Sequence, residues 1–240
     1  MKEVSRVRSS SHPTQELKAP RPRLARAERE RQILEGAIAY FAEVGFVGQT
    51  RELSNRLGIT QPLLYRYFKN KQELVERVYQ TVFENRWNPA WIGLLEDRRL
   101  SLRDRLIEFY RQYALATYRP DWIRIYLHAG LSRPELNQRY IQLIRRQLMP
   151  TYCRELRREC GLSGQTAPIS EEEIEFVWNL HGGIFYMALR QHIYQTPIQV
   201  DFMAHVAFVV DNFLAGAQLT YPRLVTTFVK SKPRRRSHSD

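Results

Sequence analysis

Gln61, Tyr65, Arg66, Tyr67, Lys69 and Lys71 bring an amide, phenols and cations into one short stretch. A glutamine amide can pair bidentately with adenine in the major groove. Phenol hydroxyls and cationic side chains bind phosphate oxygens and set register on a duplex. This is the chemistry of recognition, not of bond making. Residues 58 to 71 read Gly-Ile-Thr-Gln-Pro-Leu-Leu-Tyr-Arg-Tyr-Phe-Lys-Asn-Lys, in the form of the turn and second helix of a helix-turn-helix.

The neighbouring residues fit that form. Thr50 is expected to cap the first helix of the pair through its hydroxyl. Leu53 and Leu57 lie one turn apart and face inward, and small Ser54 lets a second helix cross closely. Gly58 suits the turn because it has no Cβ to penalise positive φ. Ile59 fills the angle between the helices. Thr60 caps the next helix, Pro62 fits its first turn, and Leu64 and Phe68 form its buried i, i+4 pair. Gln61, Leu63, Tyr65, Arg66 and Tyr67 are left for the outer faces. Gln61 stands at the N-terminal end, where recognition helices touch bases, and Leu63 can meet a thymine methyl group. Tyr65 and Tyr67 can donate to phosphates, and Lys69 and Lys71 can clamp the backbone. Tyr65 also reads as a packing residue, and Arg66 is open to either role.

Residues 29–80 resemble the DNA-binding domain of the TetR family of bacterial repressors. The first helix ends in Phe41-Ala42-Glu43-Val44-Gly45-Phe46, Thr50 stands at the next helix start, and Gly58-Ile59-Thr60 precedes Tyr67-Phe68-Lys69-Asn70-Lys71. Ser54 stands where alanine is more usual in that pattern. The resemblance implies that Thr50, Thr60, Tyr65, Tyr67 and Lys71 bind phosphates and that Gln61, Pro62 and Leu63 approach bases. It also implies a cytoplasmic homodimer on a palindromic operator in double-stranded DNA, with a small-molecule inducer. A DNA-binding regulator without such an inducer (an activator, an architectural protein, or one controlled by a partner protein) shares the same sequence features.

Charge agrees with a polyanionic partner but is concentrated at the ends. The net charge is +12, and the sequence pI is about 9.9. Residues 1–31 carry nine Lys/Arg against four Glu, and residues 223–240 carry six against one Asp, so each end holds +5. These ends read either as solubilising tails or, for Arg21, Arg23 and Arg26, as an arm that reaches DNA beside the main contact. No unbroken apolar run reaches the ~18 residues of a membrane span, and no apolar leader opens the chain. Cys153 and Cys160 read as packing thiols. The histidines at 12, 128, 181, 192, 205 and 238 have no metal-ligand spacing, and there is no phosphate loop or nucleophile motif. Neither an enzyme nor a metal or cofactor is expected.

Helix starts and stops recur along the whole chain, so the expected fold class is all-α, with nine or ten helices. The expected organisation is a basic arm at 1–22, a three-helix DNA-binding domain at 23–72, a helical regulatory and dimerisation domain at 73–222, and a basic tail at 223–240. Ser101 with Asp104 opens a helix at 102–118, and Pro120 opens another closed by Gly130. Pro134 starts a long segment kinked at Pro150, and Ser170 with Glu173 forms a capping box. Pro197 opens a last helix at 198–219. Apolar stripes at Ile174, Val177, Trp178, His181, Phe185, Ala188 and Leu189, and at Val200, Met203, Ala207, Val210, Phe213, Leu214 and Ala217, fill either a monomer core or a dimer interface. The resemblance favours an interface at 170–219. Tyr113, Trp122, Tyr126, His128, Trp178, His181 and Phe185 are either ordinary core or the walls of an effector pocket, and the family resemblance is what implies the pocket.

Removing residues 1–24 is expected to flatten the dependence of DNA affinity on salt, because each lost phosphate contact takes about 0.9 from the log–log slope. Fluorescence anisotropy across a salt series measures it. An unchanged slope makes the segment a tail.

Overall fold

Ile33, Ala37, Tyr40 and Phe41 recur at helical spacing and are buried along one side of the first helix, α1 (Arg26–Val44). Gly45 ends it with φ of 75°. The short helices α2 (Thr50–Arg56) and α3 (Gln61–Tyr67) follow, and then α4 (Lys71–Val82). Leu74, Val75, Val78, Tyr79 and Val82 make α4 apolar on one side, and it packs against α1. The computed structural model describes residues 26–231, with side chains as far as Val225. The arm at 1–22, and with it Arg21 and Arg23, lies outside the described residues, as do Lys232 and Arg234–Arg236 of the tail.

A 3-10 turn at Glu84–Arg86 leads to α5 (Ala90–Glu96), α6 (Leu102–Thr117), α7 (Pro120–Ser132), α8 (Pro134–Gln147), α9 (Met149–Glu159), α10 (Glu171–His192) and α11 (Phe202–Ser231). The described residues contain no strand, and the fold is all-α. Ser101 accepts from the Asp104 N–H, and Ser170 and Glu173 exchange both bonds of a capping box, as the sequence led one to expect. The segment from Pro134 divides into α8 and α9 at Leu148, with Pro150 in the first turn of α9, which tolerates its missing N–H.

Two boundaries differ from the sequence reading. Gly130 lies inside α7, which runs on to Ser132; the extended turn at Arg133 before Pro134 ends it. The last helix opens at Phe202, after Asp201 accepts from the Ala204 N–H, and continues through Pro222 to Ser231. Pro197 stands in the preceding irregular stretch, and so does Val200, which leaves the proposed stripe.

A buried ionic cluster pins α9, α10 and α11 together. The Arg157 guanidinium donates to both Glu173 carboxylate oxygens at 2.7 Å. It also donates to the carbonyls of Ala167 at 2.6 Å and Pro168 at 3.1 Å, which fixes the loop before α10. Tyr221 of α11 donates to Glu173 at 2.8 Å, and the Ser170 N–H donates at 2.9 Å. Glu155 is held similarly, by Arg105 at 2.8 Å and Arg98 at 2.7 Å. Buried charges are tolerated here because their donors and acceptors are matched.

Arg157→Ala is expected to destabilise the fold by about 3–5 kcal/mol, because it leaves the Glu173 carboxylate buried without its cation. Burial acts to raise the Glu173 pKa, but hydrogen bonds from Arg157, the Ser170 N–H and Tyr221 outweigh it and hold the group below its ordinary value. A depressed carboxylate stabilises the fold fully above its unfolded pKa of about 4.3, and that contribution is lost as pH falls through the folded value. Urea melts of the parent and Glu173→Gln across the acid range check it: the parent should lose more stability on acidification.

Candidate nucleic-acid interface and internal cavity

The turn between α2 and α3 closes on Gly58, at φ of 61°, where a side chain would be strained. The Gly58 N–H donates to Asn55 at 3.1 Å and the Ile59 N–H to Ser54 at 3.0 Å, satisfying the last carbonyls of α2. Thr60 accepts from the Leu63 N–H at 3.3 Å and caps α3, and Pro62 stands in its first turn. Leu64 and Phe68 are fully buried, so the helix is anchored on one side. Its other sides carry exposed Pro62, Tyr65 and Arg66 and half-buried Gln61, Leu63 and Tyr67. Exposed Lys69 and half-buried Lys71 follow at the start of α4.

Thr50 departs from its expected capping role. Gln49 holds the cap position of α2 without a side-chain bond, and Thr50 is the first helical residue and buried. Its hydroxyl lies 2.9 Å from the Tyr65 hydroxyl and accepts from the Gln61 amide at 3.0 Å. Thr50 therefore ties α2 to both ends of the exposed surface of α3 and sets the direction of the Gln61 amide. Burial, and then the positive charge of Arg133, lowers the Lys71 pKa. Arg133, which the sequence reading missed, donates to Gln72 at 2.9 Å and so stands beside the basic end of this surface. Sixty or more residues separate it from that surface in sequence, so no local pattern marks it.

Six of the seven nominated aromatic positions converge. Tyr113, Trp122, Tyr126, Trp178, His181 and Phe185 line one cavity of about 90 Å³ between α6, α7, α8 and α10. Tyr140 and Ile144 of α8, not nominated from sequence, complete its wall. Trp122 and Tyr126 stack at 4.9 Å with planes 10° apart, and the Tyr113 and Tyr140 hydroxyls bond at 2.8 Å. His181 is buried, and its pKa is pushed down to about 4 by that burial. His128 is the exception. It lies two positions beyond Tyr126, roughly 200° round the helix at 3.6 residues per turn. It faces α1 instead, where a Cβ on Gly45 would come within 2.9 Å of its ring. A larger open cleft of about 640 Å³, lined in part by Arg111, Tyr118, Arg119, His192 and Phe202, lies where the ends of α6 and α10 meet the start of α11.

The sequence profile of bacterial regulatory proteins, tetR family, matches residues 33–78, from within α1 to within α4. Over that region the chain resembles the TetR family. The chain is 32% identical to the tetracycline repressor protein class G of Vibrio anguillarum over 106 residues, 44% of this chain and 48% of that one. It is 32% identical to the class D repressor of Escherichia coli over 116 residues, 48% of this chain and 50% of that one. It thus spans about half the length of the curated relatives it matches. A tetR-family transcriptional regulator from Streptomyces coelicolor shares the fold with a TM-score of 0.56 at 17% identity, over 88% of this chain and 92% of that one. A TetR family transcriptional regulator from Pseudomonas syringae pv. tomato does so with a TM-score of 0.52 at 20% identity, over 81% and 96%. By their names these are repressors and transcriptional regulators.

The buried neutral state of His181 has a pH consequence. Its folded pKa of about 4 lies below the ordinary 6.5, so the unfolded chain binds the proton first. The stability at stake is complete above about pH 6.5 and is lost on acidification towards pH 4, about 3 kcal/mol in all. His181→Phe should remove that part of the slope, and denaturant melts of both proteins between those values measure it.

Proposed function

We propose that this TetR-family chain is a sequence-specific transcriptional repressor that binds a palindromic operator as a homodimer and is released by a small molecule. The observation that carries the DNA reading is α3: anchored by Leu64 and Phe68, exposed through Pro62, Tyr65 and Arg66, with Gln61 held by Thr50. In this reading Gln61, Pro62 and Leu63 meet base edges. Thr60, Tyr65, Tyr67, Lys69 and Lys71 meet phosphates, Arg66 adds charge, and Thr50 acts through Gln61 and Tyr65. Residues 23–72 form the DNA-binding domain, 73–222 regulate and dimerise, and the basic ends flank them.

The outward side of α10 and α11 supports the dimer. Phe208 and Leu219 are 62% and 73% exposed, and Tyr186 is 52% exposed. The stretch Phe202–Val225 is long and apolar enough to cross a membrane, with a mean hydropathy of 1.3 in its most apolar window, yet most of its residues are not buried within the chain. Pairing with the same helices of a second copy covers this surface and places two recognition helices about one DNA turn apart. Ile174, Val177, His181, Ala188, Val210 and Ala217 of the two stripes are buried within one chain, so the stripes serve the core as well. Repression follows the names of the matched relatives, and a cytoplasmic location follows from DNA as the partner. The aromatic cavity is the effector site, acting by favouring a dimer geometry with the wrong half-site spacing. A coupling of roughly 1–3 kcal/mol changes DNA affinity about 5–150-fold.

Selection of duplexes from a random pool should return a two-fold palindrome. Gln61→Ala and Thr50→Val should both relax preference at the same base position, while Lys71→Ala weakens cognate and scrambled DNA equally. Recovery of unselected duplex DNA, or equal loss on both duplexes for Gln61→Ala, counts against base reading by α3.

A further inference from the structure

The walls of the aromatic cavity are specific about what they can hold. Among the described residues, those lining it are uncharged: rings from Trp122, Tyr126, Tyr140 and Phe185 stand beside neutral His181. An anion finds no cation there, and a cation no carboxylate. The parallel Trp122 and Tyr126 rings, 4.9 Å apart, present a flat surface that suits offset or edge-on packing of another ring. The cavity, at about 90 Å³, is smaller than the roughly 150 Å³ that takes up benzene, but exposed Ile141 and Gly182 leave its mouth open, so a single ring seats with one edge in that mouth. Tetracycline, with its four fused rings, is far too large for it.

Two polar atoms narrow the class further. Trp122 Nε1 and His181 Nδ1 are buried and have no hydrogen-bond partner among the described residues. Both side chains line the cavity, and each is more than nine-tenths buried. An indole N–H can only donate, whereas a neutral imidazole nitrogen donates or accepts according to tautomer. A hydroxyl serves either tautomer, since it accepts from the indole and can donate to or accept from the imidazole. A tetraalkylammonium ion, the usual occupant of aromatic cages, offers the indole no acceptor.

We propose that the effector is a small, neutral, single-ring aromatic molecule carrying a hydroxyl group, seated among Trp122, Tyr126, Tyr140, His181 and Phe185. The assignment rests on the reading of this cavity as the effector site. Occupancy has a direct mechanical consequence. Trp122 and Tyr126 belong to α7, and the opposite side of α7 packs on α1 through His128 and Gly45. A ring that displaces the first pair moves the platform on which the DNA-binding helices rest.

Calorimetric titration of the full chain with phenol, toluene, benzoate and tetramethylammonium tests the class without DNA. Phenol should bind saturably, toluene about 3–10-fold more weakly for want of the hydroxyl, and the two ions not at all. Trp122→Phe and His181→Phe keep the rings and should each shrink the preference for phenol over toluene; if one does not fold, by circular dichroism, the other decides. No saturable phenol binding overturns the proposal, as does binding of either ion as tightly as phenol. A phenol preference unchanged in the folded variants overturns it too. Phenol should then weaken binding to the selected duplex, and a bound phenol that leaves DNA affinity unchanged overturns the effector assignment. Phenol binding by a chain that selects no duplex supports the cavity assignment and overturns the DNA reading alone.

Discussion

Helix α7 is packed on two sides by different parts of the molecule, and that double contact governs the rest. On one side Trp122 and Tyr126, one turn apart, form the flat wall of the aromatic cavity. On the other, His128 fits against the end of α1 at a position only glycine can occupy, since a Cβ on Gly45 would crowd the imidazole. Close-packed interiors resist small displacements because every neighbour must move too. A rigid helix between the cavity and α1 is the contact on which the proposed effector coupling depends. Arg133, just after α7, bonds Gln72 of α4, and Arg139 of α8 pairs with Glu76 of α4 at 2.8 Å, so the connection does not rest on a single contact.

The packing of α9, α10 and α11 rests on buried ion pairs. Glu173 and Glu155 are almost fully buried, and each is matched by arginine. Removing one partner of such a pair costs more than the pair contributes over an apolar equivalent, which makes it a device for register more than for net stability. Here the register in question is that of α9, α10 and α11. Arg157 also binds the carbonyls of the loop leading into α10, so the loop and the helix start are fixed by the same side chain. With α10 held in this way, its outer surface and that of α11 expose Tyr186, Phe208 and Leu219, the apolar face on which the proposed dimer depends.

The two helices of the helix-turn-helix obey a tighter constraint. With only seven residues each, α2 and α3 are too short to be stable alone. Leu53, Leu64 and Phe68 anchor them to the core, and the Thr50 hydroxyl joins them on the surface side. The orientation of Gln61 is thus a property of both helices, not of the one that carries it.

Much of this was legible in the residues themselves. The caps at Thr60, Ser101 and Ser170, the glycine turns at Gly45 and Gly58, and the burial of Leu64 and Phe68 depend on neighbours within a few positions, so spacing alone reveals them. The all-α class and the helix-turn-helix follow from the same short-range chemistry. What only the tertiary structure decided depends on how helices cross. Thr50 is buried by α3, not left as a cap. His128 turns away from the aromatic residues beside it, because a helix sends positions two apart to opposite sides. Arg133 reaches Gln72 beside Lys69 and Lys71 from more than sixty residues away. Tyr140 joins the cavity through the packing of α8 on α7, and the size of that cavity is set by interhelical distances that composition does not encode. Local backbone preferences act over a turn or two, whereas burial and partnership are decided by which helices meet and at what angle.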